Sequence, residues 1–234
     1  VTGSSRRDEL AVRLTAVRQR IAAACQAAGR DPADVTLIAV TKTRPASDVR
    51  LLSELGVCDV GENRDAEAAP KAAQCADLDL TWHFIGQLQT NKAASVVRYA
   101  TFVHSVDRLR LIRALGTAAR RAEAVVQCLV EVSLDGDPAR GGAVAGEVPA
   151  LAEALAAEPG LVLAGVMAIA PLGMVPREAF ALLLDSAAVV RAVRPGATVI
   201  SAGMSGDFED AVAAGATHLR IGTALLGDRG PGVR

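Results

Sequence analysis

Short apolar runs alternate with longer segments of helical periodicity along most of this chain. Eight runs read as strands: 35–41, 57–61, 82–85, 101–105, 125–132, 162–169, 198–202 and 218–221. Between them apolar residues return at helical spacing. Leu109, Ile112, Ala114 and Leu115 do so within 108–123, and Phe180, Leu183, Leu184, Ala187 and Val190 within 177–193. Near-continuous apolar strands separated by helices predict parallel strands covered on their outer side. Eight such units in roughly 200 residues favour an α/β fold of the closed (β/α)8 TIM barrel type over an open doubly wound sheet. Only residues 223–234 follow the last run, so its outer helix should be short. An extra N-terminal helix at about 5–28, with Leu10, Leu14, Val17 and Ile21 on one face, is predicted to fill that gap. Residues 1–234 are read as a single domain, residues 1–30 packing as a helix on the barrel.

Composition narrows the function classes. With 51% hydrophobic residues in 234, the chain can bury a sizeable core. Net charge is −1, from 25 basic and 26 acidic side chains, and aromatics are 3%, which argues against a nucleic-acid partner. The longest apolar stretch, 161–172, is about half of the ~20 residues a membrane helix needs, and Gly165 interrupts it. No leader-like segment is read ahead of the first amphipathic stretch, and a cytoplasmic location is expected. The four cysteines, Cys25, Cys58, Cys75 and Cys128, form no C-x-x-C pair, and His83, His104 and His218 lie singly on different runs. No metal site is expected, and the cysteines are read as reduced core residues.

Candidate chemistry begins with Lys42. It is one of three lysines among the 25 basic residues, and it stands where the first strand gives way to Thr43-Arg44-Pro45. Arginine cannot form an imine at neutral pH, whereas a partly buried lysine can. Of the other lysines, Lys71 falls in a helical segment and is read as a solvated face. In a closed barrel the active site lies at the C-terminal strand ends, with phosphate held after strands seven and eight. The loop after strand seven, Ser201-Ala202-Gly203-Met204-Ser205-Gly206-Asp207, and the one after strand eight, Arg220-Ile221-Gly222-Thr223, supply hydroxyls and glycine-freed N–H groups. Strand one neighbours strand eight, so Lys42 and this cradle should share a cavity. An imine-forming lysine beside a phosphate site suggests pyridoxal 5′-phosphate (PLP), with a Schiff-base aldolase acting on a sugar phosphate still open.

These stretches, together with Gly61-Glu62-Asn63, the block from Trp82 to Lys92 and Gly165-Val166-Met167, resemble the pyridoxal-phosphate homeostasis protein family. The resemblance implies the alanine-racemase-like barrel of PLP-dependent fold type III. It further implies a Schiff base between PLP and Lys42, phosphate held by Ser201, Gly222 and Thr223 near Gly203 and Met204, Arg220 at the ring nitrogen and Asn63 near the ring. Three positions depart from the family pattern: Ala202 replaces a methionine, Ala168 a threonine, and Arg140 a lysine. His83 and Trp82 are read as core residues, and Gln87, Gln89, Asn91 and Lys92 as a cavity rim or partner surface. The implied role is storage, protection and delivery of PLP with little or no catalysis, and with apo PLP-dependent enzymes as partners of a monomer or weak dimer. The alternative is a small amino-acid racemase, which would need a second base. The only tyrosine, Tyr99, is read as lying inside a helical pattern away from any strand end.

Overall fold

The computed structural model describes residues 5–137 and 140–228. Eight strands, β1 Thr36–Val40, β2 Asp59–Glu62, β3 Thr81–Phe84, β4 Phe102–Val106, β5 Val126–Glu131, β6 Leu161–Met167, β7 Val199–Ser201 and β8 His218–Ile221, close into a barrel in sequence order. Every pairing is parallel, and β8 returns to β1 with Ile38 opposite Arg220 and Ala39 opposite Ile221. This is the (β/α)8 barrel the periodicity predicts, with each predicted strand found to within a few residues.

The outer helices are α1 Arg6–Ala27, α2 Ala46–Glu54, α3 Asp65–Gln74, α4 Ala93–Val96, α5 Leu109–Arg121, α6 Val148–Ala157, α7 Pro176–Val193, α8 Phe208–Ala213 and α9 Thr223–Leu226. A capping box starts α1: Ser5 accepts from the Asp8 N–H while the Asp8 carboxylate accepts from the Ser5 N–H. Its buried face, Leu10, Leu14, Val17, Ile21 and Cys25, lies against α8 and α9. Arg20 tightens that seam, its guanidinium 4.4 Å above the Phe208 ring and 2.7 Å from Glu209. The N-terminal helix thus occupies the ring where α9, a single turn, leaves space.

Helix α5 is phased slightly differently from the sequence reading. Leu111, Ile112, Leu115, Ala118 and Ala119 are buried, whereas Leu109, first in the helix, stays exposed. Each fully buried leucine or isoleucine there contributes about 1.5–3 kcal/mol relative to exposure. The main core lies between helices and strands, and a smaller apolar cluster of Phe102, Leu129, Ala164 and Met167 sits apart from it. Polar groups are also buried on the strands: His83, His104, Ser201 and Arg220.

Three readings change with tertiary structure. Lys71 is buried rather than solvated, because the inner face of α3 carries it toward Glu62 on β2. Cys58 is exposed, since it immediately precedes β2, while Cys25, Cys75 and Cys128 are buried free thiols. Tyr99 belongs to a turn between α4 and β4, because α4 ends at Val96. Among the described residues no helix is long and apolar enough to cross a membrane.

Candidate functional site

The loop after β1 is fixed on both sides of Lys42. Thr41 is fully buried, its N–H donating to Gly61 O and its hydroxyl to Glu62 Oε1 at 2.6 Å. Lys71 Nζ donates to Thr41 O at 2.8 Å and forms a close ion pair with the same Glu62 carboxylate. On the other side the Thr43 N–H donates to Glu67 Oε2 at 3.0 Å, holding Thr43 in the left-handed region at φ 64°. A β-branched residue there is strained and needs such support. Burial raises the Glu62 carboxyl above its ordinary range, opposed by the hydrogen bonds from Lys71 and Thr41.

Lys42 lines a cavity of about 400 Å³ at the C-terminal strand ends, shared with Asn63, Glu131, Arg140, Arg220 and Thr223. Val40, Ile85 and Ile169 give it apolar lining, and Met204, Ser205, Gly206 and Gly222 also border it. Gly86 is required where the β3 loop crosses behind Asn63, because a Cβ on it would stand 2.2 Å from Asn63 O. That contact gives the Trp82–Lys92 block a structural role. Its Gln87 reaches the cavity, while Gln89 and Lys92 line an adjoining groove with Asn63.

Arg220 is 4% exposed, with Nη1 donating to Ser201 Oγ at 2.7 Å and Nη2 to Ala168 O at 2.8 Å. Burial lowers its guanidinium to about 10, against opposing pulls from Glu131 and Asp207, so it remains a cation at neutral pH. Glu131 is pushed up to about 7 by burial first and by Asp107 second. Lys42, Arg140 and Arg220 thus line the cavity with Glu131 as the one carboxylate among its described lining residues, and burial weakens that charge, so the cavity suits an anionic ligand.

Of the residues singled out in the sequence, Lys42, Asn63, Met204, Arg220, Gly222 and Thr223 converge on this cavity. Ser201 and Gly203 do not border it. The Ser201 hydroxyl lies behind Arg220, also 2.9 Å from His104 Nδ1. Gly203, at φ 88°, turns the chain into α8, where a Cβ would fall 2.7 Å from that of Ala211. Ser205, in the same loop, does border the cavity, and its Oγ accepts from the Ala224 N–H at 3.2 Å. Its hydroxyl in the same glycine-rich loop was the available signal. Glu131 had none, because a lone acid at a strand end looks like any other.

Residues 12–230 match the family described as alanine racemase, N-terminal domain. The pyridoxal phosphate homeostasis protein of Mycobacterium leprae (strain TN) is 43% identical over 241 residues, covering 95% of this chain and 93% of that protein. The chain belongs to the pyridoxal phosphate homeostasis protein family. A solved structure similar to this chain is that of PipY, the COG0325 family member of Synechococcus elongatus PCC7942, with PLP bound. It superposes with a TM-score of 0.82 at 35% identity, covering 93% of this chain and all 100% of PipY. Alanine racemase from Corynebacterium glutamicum shares the fold alone, with a TM-score of 0.66 at 17% identity over 91% of this chain and 60% of the racemase.

Proposed function

We propose that this chain binds PLP in the cavity at the C-terminal strand ends, holds it through Lys42, and serves intracellular PLP homeostasis by storing, protecting and delivering it. The observation that carries this reading is one cavity bordered by Lys42, Gly222, Thr223 and Arg220. Its volume of about 400 Å³ lies within the ~300–1,000 Å³ common for small-molecule sites. When bound, PLP supplies an electrophilic aldehyde that a lysine amine captures reversibly.

The chain's own residues do the rest. Thr41 and Thr43, each anchored, hold the Lys42 backbone in place, so little backbone freedom is lost when its amine engages a ligand. Ser205, Gly222 and Thr223 border the end suited to a phosphate, where the Ser205 and Thr223 hydroxyls can donate to it. Arg220 donates only, so it matches an unprotonated ring nitrogen and disfavours a proton there. That arrangement favours holding the cofactor over using it as an electron sink.

A racemase would need a second base at the cavity. Tyr99 does not serve: its hydroxyl donates to Asp65 Oδ1 at 3.3 Å, and burial pushes the phenol far above its ordinary range. The deciding experiment is borohydride reduction of PLP-loaded protein followed by peptide mapping. A pyridoxyl mass on Lys42 is the expected result, and a mass mainly on Lys71 or Lys92 would overturn the assignment. Robust racemisation of alanine or serine by the same preparation would overturn the carrier reading.

A further inference from the structure

Behind Arg220 a chain of hydrogen bonds crosses the barrel interior and reaches its other end. Arg220 Nη1 lies 2.7 Å from Ser201 Oγ, which lies 2.9 Å from His104 Nδ1. His104 Nε2 is 2.9 Å from His83 Nδ1, and His83 Nε2 is 3.0 Å from Asp59 Oδ1. The links come from five strands, β8, β7, β4, β3 and β2. Ser201, His104 and His83 are at most 1% exposed. Asp59 is less enclosed: its side chain is 28% exposed, and it borders a separate cavity of about 460 Å³ with Arg18, Thr36 and Cys58.

Chemistry gives this chain one direction. A guanidinium can only donate and an ionised carboxylate can only accept, while a neutral imidazole offers one of each. Burial lowers the pKa of both histidines, His104 well below its ordinary value, where His83, Arg220 and His218 add to the effect. Both rings are therefore neutral at pH 7. Asp59 must receive the Nε2–H of His83, so His83 Nδ1 must receive the Nε2–H of His104, and His104 Nδ1 must receive the Ser201 hydroxyl proton. Ser201 Oγ is then left to accept from Arg220. Reversing either ring would set a lone pair of His83 against the Asp59 carboxylate. The neighbours do not compete for these bonds: Phe102 stacks on His83 at 4.7 Å, and His218 Nδ1 pairs with Thr217 Oγ1 at 2.9 Å.

Resting on the PLP reading above, we infer that Asp59, acting through His83, His104 and Ser201, is a positioning residue for Arg220. It fixes the guanidinium that meets the cofactor ring nitrogen, from the opposite end of the barrel. Removing the acceptor at Asp59 frees both imidazoles to change tautomer. The Ser201 hydroxyl then loses its assigned acceptor, and Arg220 loses one of its two anchors, keeping the bond from Nη2 to Ala168 O. A side chain that never touches the cofactor thereby sets how the cofactor ring is held.

The test compares the parent with Asp59→Leu and the conservative Asp59→Asn, which keeps an oxygen acceptor. Imidazole ¹⁵N NMR on cofactor-free protein should show His83 and His104 as neutral Nε2–H tautomers in the parent and in Asp59→Asn, and a changed population in Asp59→Leu. After PLP loading, Asp59→Leu should shift the visible absorption band and its pH profile and weaken retention roughly five-fold, with Asp59→Asn restoring most of it. An Nδ1–H tautomer on either ring of the parent, or identical tautomers and spectra in all three proteins, overturns the proposal. If Asp59→Leu does not fold, Asp59→Ala, which also lacks an acceptor, takes its place in the same comparison, and a parent-like spectrum and retention in Asp59→Ala overturn the proposal. Failure of the parent itself to take up PLP refutes the cofactor reading, and the tautomer measurement then judges the hydrogen-bond chain separately.

Discussion

Replacing Lys71 with methionine tests the buried anchor beside Lys42. The Lys71 and Glu62 side chains are 6% and 1% exposed, and they pair directly. Methionine fills similar volume but leaves the Glu62 carboxylate with the Thr41 hydroxyl as its hydrogen-bond partner among the described residues, and Glu62 Oε2 already has none there. Removing one member of a buried ion pair costs about 3–5 kcal/mol. At this chain length each kcal/mol moves the melting temperature by roughly 2–4 °C, so Lys71→Met should melt roughly 6–20 °C below the parent. The loss should depend on pH with a definite sign. Burial raises the folded-state pKa of Glu62 above its unfolded value, and losing Lys71 raises it further. The neutral carboxyl is compatible with the fold, so stability is fully present below the unfolded value and falls as pH rises through the folded one. Melting curves at pH 5 and pH 8 should therefore show the larger deficit at pH 8. Adding Glu62→Gln should restore much of the stability and remove the pH difference, because it deletes the stranded charge. A Lys71→Met protein that melts within 2 °C of the parent at both pH values would refute the buried-pair argument and return Lys71 to solvent.

Glu131 gives a second pH test. Its carboxyl is raised to about 7, so its contribution is complete below the ordinary value of 4.5 and falls by on the order of 3 kcal/mol as pH rises through 7. Urea unfolding of Glu131→Gln should lack that fall, and a pH profile identical to the parent's would contradict it. Thiol labelling offers a third: exposed Cys58 should react quickly with a chromogenic disulfide in native protein, whereas Cys25, Cys75 and Cys128 should react only on unfolding. Burial pushes the Cys128 thiol up to about 12, so any rapid labelling there would mean that the barrel opens readily.

Periodicity and local chemistry determined the barrel from sequence alone. Strands buried on both faces must be apolar almost throughout, and helices that cover them must carry a stripe, so eight alternations leave few architectures. The same logic located Lys42 and the two glycine-rich loops, because barrel closure puts strand one beside strand eight. The sequence could not determine which polar side chains point into the barrel and which toward the cavity. Ser201 and Ser205 are equally plausible phosphate donors in one dimension, yet strand register turns Ser201 inward to Arg220 and His104 while Ser205 reaches the cavity. Lys71 and Glu62 lie nine residues apart, on α3 and on β2, and only packing makes each the other's partner. Asp59, His83 and His104 stand on three different strands, and no local motif links them. Their chain exists because the closed barrel brings their side chains within hydrogen-bond distance and keeps both histidines away from water, where an unpartnered polar group costs too much to leave unsatisfied.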